Sequence, residues 1–319
     1  MIRRLSLALA LLLAACGSNP ALAVTPSLYL KGMVGKVITG GTWSKITLVN
    51  CIKCVIRDAT VTPPPATNIN EQAVRVIGSP GVLIEGLTIT GQAATTGVKQ
   101  TDPGPAGLVI GLWAGEGLHV EGSPGAIIRG CVITKFHQGL TFSKMDGLTI
   151  EHCTIANVRT TPIAGVPGND LHIIGNGLGA SYPWRWGQTP AGDHGDRIHV
   201  WTQGGDVSGL VISDNVMDEG DGAPILGVFI QPKDGRFNGV TIARNSLTAS
   251  NGQGIVLKGV TGVVADNVLT WNGRGDKVRA VPRYDIYGGS VLRLERNVGK
   301  VVFDRKMTAA QRAMVTVTP

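Results

Sequence analysis

The chain has 319 residues, of which 45 are glycine and 5% are aromatic. Glycine disfavours helices and the apolar residues fall in short runs, so a helical protein is excluded and a β-rich one is predicted, with a helix only near Met307–Met314. The net charge is +7, but the sequence has no run of lysine and arginine, which argues against a nucleic-acid partner. An anionic partner such as an acidic polysaccharide fits this charge, and so does a merely solubilising surface.

Residues 1–23 are predicted to be a targeting segment. A basic start precedes the apolar stretch Leu5–Ala15, which is too short to span a bilayer as a helix. The sequence Leu13–Cys16 resembles the lipobox of bacterial lipoproteins, which implies lipidation of Cys16 and an outer-membrane protein held only by its lipid anchor. Cleavage after Ala23 is the alternative and predicts a periplasmic or secreted protein. In both cases we expect export.

The rest of the chain repeats with a period of roughly 22 residues. Val74–Gly91 and Leu118–Lys135 share the same order of strand, turn, strand and Gly- or Asn-marked bend, and four later segments follow it. Each unit has one apolar face per strand, so the units must stack to bury a core. We predict one domain over 24–319, with about nine rungs over 36–302 and a short cap over 303–319.

Alignment of the units places one bend position in register along the chain. Asparagine there can adopt left-handed backbone angles and can hydrogen-bond the neighbouring coil, which predicts a ladder of stacked asparagines. Two cysteines at this position are expected to be buried thiols rather than a disulfide. The aligned residues are Ala59, Leu87, Cys131, Cys153, Asn176, Asn215, Asn245, Asn267 and Asn297.

This pattern resembles the single-stranded right-handed parallel β-helix of pectate-lyase-like proteins, an all-β fold. The resemblance implies that the first strand of each unit belongs to a sheet that lines a substrate groove. It does not determine the activity, because the scaffold hosts lyases, hydrolases, epimerases, tailspikes and adhesins.

Alternation along these first strands predicts which side chains face the groove. The middle residue of each strand is apolar and is expected to point inward. His199 and Trp201 then face outward, Arg197 lies at the edge of this face, and the loop that leads in carries His194 and Asp196. The predicted inward column is Val76, Val120, Phe142, Val200, Ile230 and Leu257.

The spacing H-x-D-x-I-x-x-W, from His194 to Trp201, also resembles a motif of β-helix proteins from Gram-negative bacteria. That group is described by its fold rather than by a reaction. The resemblance implies a shared site without naming its substrate.

We predict a polysaccharide lyase that acts on a uronate-containing glycan. β-Elimination needs a cation to neutralise the carboxylate, a base and an acid. The candidates are Arg197 or Lys258 for the cation and His199 and His194 for proton transfer, with Asp196 as a further catalytic candidate. The predicted substrate-binding residues are Trp201, Gln231, Lys233 and Trp186, with His119 and Glu121 as a distal subsite.

Two other functions remain open. A glycoside hydrolase would need a carboxylate pair, for which the sequence offers Asp193 and Asp196 or the acidic cluster Asp218, Glu219 and Asp221. The same cluster is a weak candidate for Ca²⁺, and no other cofactor or metal site is predicted. The third interpretation is a non-catalytic surface lipoprotein that binds polysaccharide.

Overall fold

The computed structural model describes residues 25–66, 69–92, 115–183 and 193–318. In this part of the chain nearly all regular structure is parallel β-strand, arranged in three sheets of 11, 12 and 9 strands. The targeting segment with Cys16, and the tryptophans Trp184 and Trp186, lie outside the described residues. The described residues contain no helix of the length and apolarity that crossing a membrane requires.

Sheet 1 carries the first strand of each coil. In spatial order its strands are β1 (Ser27–Lys31), β4 (Lys45–Val49), β7 (Gln72–Ile77), β10 (Glu116–Glu121), β13 (Gln138–Met145), β16 (Ile163–Pro167), β19 (Asp196–Thr202), β23 (Leu226–Pro232), β26 (Gln253–Leu257), β29 (Arg283–Ile286) and β31 (Lys300–Phe303).

Sheet 2 carries the second strand of each coil and sheet 3 the third. Sheet 2 consists of β2 (Val37–Thr39), β5 (Val55–Arg57), β8 (Leu83–Glu85), β11 (Ile127–Arg129), β14 (Thr149–Glu151), β17 (His172–Ile174), β21 (Val211–Ser213), β24 (Phe237–Ala243), β27 (Val260–Ala265), β30 (Val291–Glu295) and β32 (Val315–Thr318), with β20 (Val207–Ser208) paired to β24. Sheet 3 consists of β3 (Thr42–Trp43), β6 (Thr60–Val61), β9 (Thr88–Thr90), β12 (Val132–Thr134), β15 (Thr154–Ala156), β18 (Gly177–Leu178), β22 (Val216–Asp218), β25 (Ser246–Ala249) and β28 (Val268–Trp271).

The nine strands of sheet 3 match the predicted number of rungs, and sheets 1 and 2 are longer because partial coils extend them at the ends. At the C-terminal end, helix α2 (Ala309–Ala313) leads into β32, which pairs with β30. A single turn of helix, α1 (Lys277–Ala280), lies between β28 and β29. The predicted helical tail is therefore confirmed, within a cap that also adds a strand.

The predicted inward column of sheet 1 is confirmed. Each of its six residues holds the inward register position of its own strand and is at most 2% exposed. Sequence alternation missed β16, which inserts Gly165 between Phe142 and Val200 in this column. A Cβ on Gly165 would lie 2.1 Å from the Phe142 carbonyl oxygen and 2.6 Å from the Phe142 ring, so the backbone and the phenyl group of Phe142 together occupy the space that a side chain would need. The inward residue of this rung is therefore glycine. The apolar residue that marks the middle of the other first strands is missing from the sequence here.

The asparagine ladder is confirmed at the corner between sheets 2 and 3. From Asn176 to Asn297, each Nδ2 donates to Oδ1 of the next asparagine at 2.8–3.0 Å. The left-handed residue is the one before each asparagine, such as Asp214 or Arg244 with φ of 60° and 55°, rather than the asparagine itself. Cys131 and Cys153 continue the column as buried free thiols, as expected.

Candidate functional site

The two histidines of the polar stretch around the start of β19 both contact one buried carboxylate. Asp196 is 0% exposed, and its Oδ2 lies 3.1 Å from His194 Nδ1 and 3.2 Å from His199 Nδ1. The backbone amide of Asp196 donates to Thr161 Oγ1 at 3.4 Å. The second carboxylate oxygen, Oδ1, has no hydrogen-bond partner among the described residues. One acid thus holds a histidine of the preceding loop and a histidine of β19.

A local departure from strict alternation brings Asp196 to this position. In several rungs of sheet 1, two consecutive residues face the interior just before the outward column. The first of the two is commonly glycine, because an added Cβ would lie 2.3–2.6 Å from a sheet 3 side chain, as at Gly117, Gly139 and Gly227. In β19 the same pair is Arg197 and Ile198. The acid before the pair therefore faces outward, toward His199.

The expectation that Arg197 lies at the groove edge is wrong. Its side chain is 0% exposed and points into the coil, where Nη1 donates to Gly179 O and to Ser181 Oγ, the latter at 3.3 Å. Small residues after β18 leave room for the guanidinium. Burial lowers the pKa of Arg197 to about 10, although the charges of Glu219 and Asp218 oppose this. Arg197 therefore cannot neutralise a glycan carboxylate in the groove.

The charges of the site are coupled through Asp196. Burial raises the pKa of its carboxyl, but the hydrogen bonds from His194 and His199 outweigh burial and hold the pKa below its usual value. The same hydrogen bond raises the pKa of His194 above its usual value, against the opposing effect of burial. An ionised Asp196 accepts from both Nδ1 atoms, which assigns the lone pair of a neutral ring to Nε2.

A groove of about 460 Å³ lies over these residues on the outer face of sheet 1. The His199 ring lies between two aromatic rings, with centroids 4.8 Å from Trp201 and 5.0 Å from Phe229. Gln231 and Lys233 continue the lining on the next rung. The structure thus brings His194, His199, Trp201, Gln231 and Lys233 together as predicted.

Phe229 belongs to this groove and was missed by sequence reasoning. It pairs in register with His199, so its outward position next to that histidine was the available signal. Lys258 is exposed, follows β26 one rung beyond Gln231, and does not line the same groove. The lysine nearest to the histidines along the groove lining is therefore Lys233.

His119 lies in the outward column of His199, three rungs away as predicted, with Thr141 and Ala164 between them. Glu121 is partly exposed and forms an ion pair with Lys144 at 3.3 Å. Their role as a distal subsite stays a prediction. Glu116, which contacts His119, was missed, because strict alternation would have turned its side chain inward.

The carboxylates considered for hydrolysis or calcium are engaged elsewhere. Asp193 forms a two-pronged ion pair with Arg159, with N–O distances of 2.6 and 2.8 Å. Glu219 is fully buried and binds Ser250, while Asp221 accepts a hydrogen bond from Tyr182 at 2.6 Å. Among the described residues, Asp218, Glu219 and Asp221 do not form a group with closely spaced ligand atoms, and calcium binding stays an untested prediction.

Among the described residues, one group has three potential metal ligands close to each other: His194, Asp196 and His199, whose ligand atoms all lie within 4.8 Å. The present distances are those of hydrogen bonds. A zinc-like ion with bonds of about 2.0–2.1 Å would have to replace both Nδ1 protons. The three residues can share the two Nδ1 protons or bind a divalent ion in their place, but they cannot do both at once.

No protein-family model matches the chain, and no curated protein matches it. Among solved structures, the surface adhesin PfbA of Streptococcus pneumoniae is 11% identical with a TM-score of 0.51, over 88% of this chain and 72% of that one. The Dettilon tailspike protein is 12% identical with a TM-score of 0.48, over 92% and 61%. A pectin methylesterase solved with a hexasaccharide is 14% identical with a TM-score of 0.40, over 93% and 88%. With the three parallel sheets, the first likeness confirms the fold as a right-handed parallel β-helix, and at these identities the likeness concerns the fold alone.

Proposed function

We propose that this protein is an exported carbohydrate-active enzyme, a polysaccharide lyase that cleaves a uronate-containing glycan by β-elimination in the sheet 1 groove. The observation that supports the proposal is the buried carboxylate oxygen of Asp196, which lies 3.1 and 3.2 Å from the Nδ1 atoms of His194 and His199. This arrangement fixes two imidazoles with their Nε2 atoms available for proton transfer beside a lysine and an indole.

In the proposed reaction His199 is the base. Its Nε2 takes the proton from C5 of the uronate, the electrons of the C5–H bond form the C4=C5 double bond, and the C4–O4 bond breaks. His194 is the acid that protonates O4, a role that suits the raised pKa of this histidine. Lys233 replaces Arg197 as the cation that neutralises the uronate carboxylate, since it lines the groove while Arg197 is buried.

The aromatic rings beside the catalytic histidine favour a sugar substrate. Trp201 is half-buried and faces outward, so one face of its indole can pack against a sugar ring, and Phe229 supplies a second apolar surface. The amide of Gln231 can donate to and accept from sugar hydroxyls.

A lyase fits this groove better than a glycoside hydrolase. Hydrolysis by the common mechanisms uses two carboxyl groups separated by about 5–9.5 Å across the scissile bond. None of the described residues that line the groove is Asp or Glu. Asp196 lies beneath the histidines, fully buried, and Asp193 is paired with Arg159. The described part of the groove thus offers imidazoles and an ammonium group, which are the groups that elimination needs.

The test is incubation of the purified protein with a panel of uronate-containing glycans. Absorbance of unsaturated ends and release of reducing sugar are followed in parallel. We expect both signals to rise together. Reducing sugar without absorbance would instead establish a hydrolase, and binding without either signal would establish a non-catalytic binding protein.

The proposal also includes export as a lipoprotein anchored through Cys16. The substitution Cys16→Ala should release the protein from the membrane fraction, because lipidated cysteine carries the several acyl chains that stable anchoring requires. Unchanged fractionation of this variant would favour cleavage near Ala23.

A further inference from the structure

Sheet 1 contains a second acid–histidine pair at positions equivalent to the first. Glu116 and His119 on β10 have the same three-residue spacing as Asp196 and His199 on β19. In both strands the acid precedes the two consecutive inward residues and the histidine follows them. Since the histidines occupy one column three rungs apart, the two pairs are related by a translation of about 14 Å along the axis.

The second pair differs from the first in having a hydroxyl between acid and base. His119 Nδ1 lies 2.7 Å from Thr141 Oγ1, which in turn donates to Glu116 Oε2 at 2.9 Å. The direct distance from His119 Nδ1 to Glu116 Oε2 is 3.5 Å. Because the threonine proton is given to the carboxylate, His119 Nδ1 is the donor to the hydroxyl. The lone pair of His119 is therefore on Nε2.

The surroundings of His119 favour the neutral form of its ring. Burial lowers the pKa of His119, and the negative charge of Glu116 opposes the effect without reversing it. A neutral ring whose Nδ1 proton is already used offers Nε2 as a hydrogen-bond acceptor. Sugar hydroxyls are donors of the matching kind.

Small side chains, with little exposed surface, lie between the two pairs. The intervening outward residues, Thr141 and Ala164, are small and are 7% and 2% exposed. Ala164 and Gln138 already line the groove over His199, which therefore reaches to within one rung of His119. A ligand that occupies the groove from Lys233 to Ala164 would have to extend past Thr141 to reach His119.

We propose that Glu116, Thr141 and His119 form a distal glycan subsite, in which His119 Nε2 accepts a hydrogen bond from a sugar hydroxyl of the chain that is cleaved at His199. This inference rests on the proposed function and deepens it. The site then selects long chains, because only an oligosaccharide that spans three rungs contacts both histidines.

The test uses the full chain with His119→Ala and, as a matched control, His172→Ala, which removes a half-buried strand histidine from sheet 2. Each protein is assayed on oligosaccharides of increasing length from a cleaved glycan. We expect His119→Ala to raise KM roughly 3- to 10-fold for long chains, the range of one net hydrogen bond, without changing kcat or the KM of short chains. His172→Ala should change neither. His119→Phe, which keeps a ring but offers no hydrogen-bond acceptor, replaces the alanine variant if circular dichroism shows that the latter does not fold.

An equal change of KM for short and long chains, or no change, overturns the proposal. If the wild-type protein cleaves none of the glycans, calorimetric titration with uronate oligosaccharides of increasing length, prepared by chemical hydrolysis of the same panel, decides between the two claims. Weaker binding of long chains alone by His119→Ala supports the subsite although the lyase proposal has failed. Binding that does not depend on length, or no binding, overturns the subsite.

Discussion

Two regions of this β-helix bury polar side chains, and they do so in opposite ways. In the asparagine ladder, Asn215, Asn245 and Asn267 each donate through Nδ2 and accept through Oδ1 from a neighbouring rung. At the start of β19, Asp196 Oδ1 and two nitrogens of Arg197 are buried without a hydrogen-bond partner among the described residues. Because unsatisfied buried groups reduce stability, the contrast separates a corner that stabilises the fold from a strand start whose buried polar groups are only partly satisfied.

The largest expected effect is on turnover. We predict that His199→Ala lowers kcat/KM on the cleaved glycan by about 10²–10⁴, the usual loss for a positioned acid or base. The side chain is only 27% exposed and contacts the buried Asp196 carboxylate, so some loss of melting temperature is also expected, and the specific activity of the folded protein is the deciding quantity. Initial rates and thermal melting are measured side by side, with His172→Ala as the control. Near-full activity of His199→Ala would remove the catalytic role from this histidine.

The ladder should respond in the reverse manner. Asn245→Ala leaves hydrogen-bond partners on both neighbouring rungs unsatisfied, and we expect a loss of about 1–3 kcal/mol in the free energy of unfolding. The specific activity of the folded protein should be unchanged. Denaturant unfolding measures the first quantity. Asn238→Ala is the control, because Asn238 lies in an exposed hydrogen bond to Asp206 outside the ladder. Equal losses for both variants would contradict a special role for the ladder.

The pH dependence of the rate tests the coupling within the site. As the proposed acid, His194 must be protonated, so the rate should fall as pH rises through its pKa, which the bond to Asp196 holds above the usual value. Asp196→Asn removes the negative charge that favours the proton. We therefore expect this alkaline limb to move to lower pH in Asp196→Asn, with a lower maximal rate. An alkaline limb at the same pH in both proteins would assign it to another group.

The smallest effect is expected at Arg197. Its charge is buried, and two of its nitrogens have no hydrogen-bond partner among the described residues. Arg197→Met, which introduces an unbranched apolar side chain of similar length, should therefore leave the melting temperature unchanged or raise it. Activity should persist, because the guanidinium points away from the groove. A large loss of stability would show that the bonds to Gly179 and Ser181 outweigh the cost of burying the charge.

Much of the architecture could be predicted because it repeats. The inward column from Val76 to Leu257 and the asparagines from Asn176 to Asn297 recur once per coil, so each rung supports the alignment of the others. His199 and Trp201 followed from this register, since alternation holds from the inward pair onward.

The rest could not be predicted because it departs from the repeat. Strict alternation counted back from His199 predicts that Arg197 faces outward and Asp196 inward. In the structure Arg197 and Ile198 both face inward, so the orientations of Arg197 and Asp196 are the opposite of that prediction. The glycines at Gly117, Gly139 and Gly227 were the sequence signal for that reversal, although their meaning depends on contacts with sheet 3 that only the structure shows. The sequence also could not show that Lys233 lines the groove and Lys258 does not. Both lysines lie near the outward column of sheet 1, and the position of a residue in that column does not define where the groove ends.

The in-register stacking of sheet 1 also has a consequence for how such a protein can evolve. Successive rungs are related by a translation of about 4.8 Å, so duplication or deletion of the coil that contains β16 would change the separation between His119 and His199 by that step and would leave the contacts within each pair intact. The coil that contains β16 presents only Ala164 between the neighbouring rungs in this column and bears neither pair. Gain or loss of this coil would therefore change the length of ligand that spans the two histidines without changing the residues of either pair.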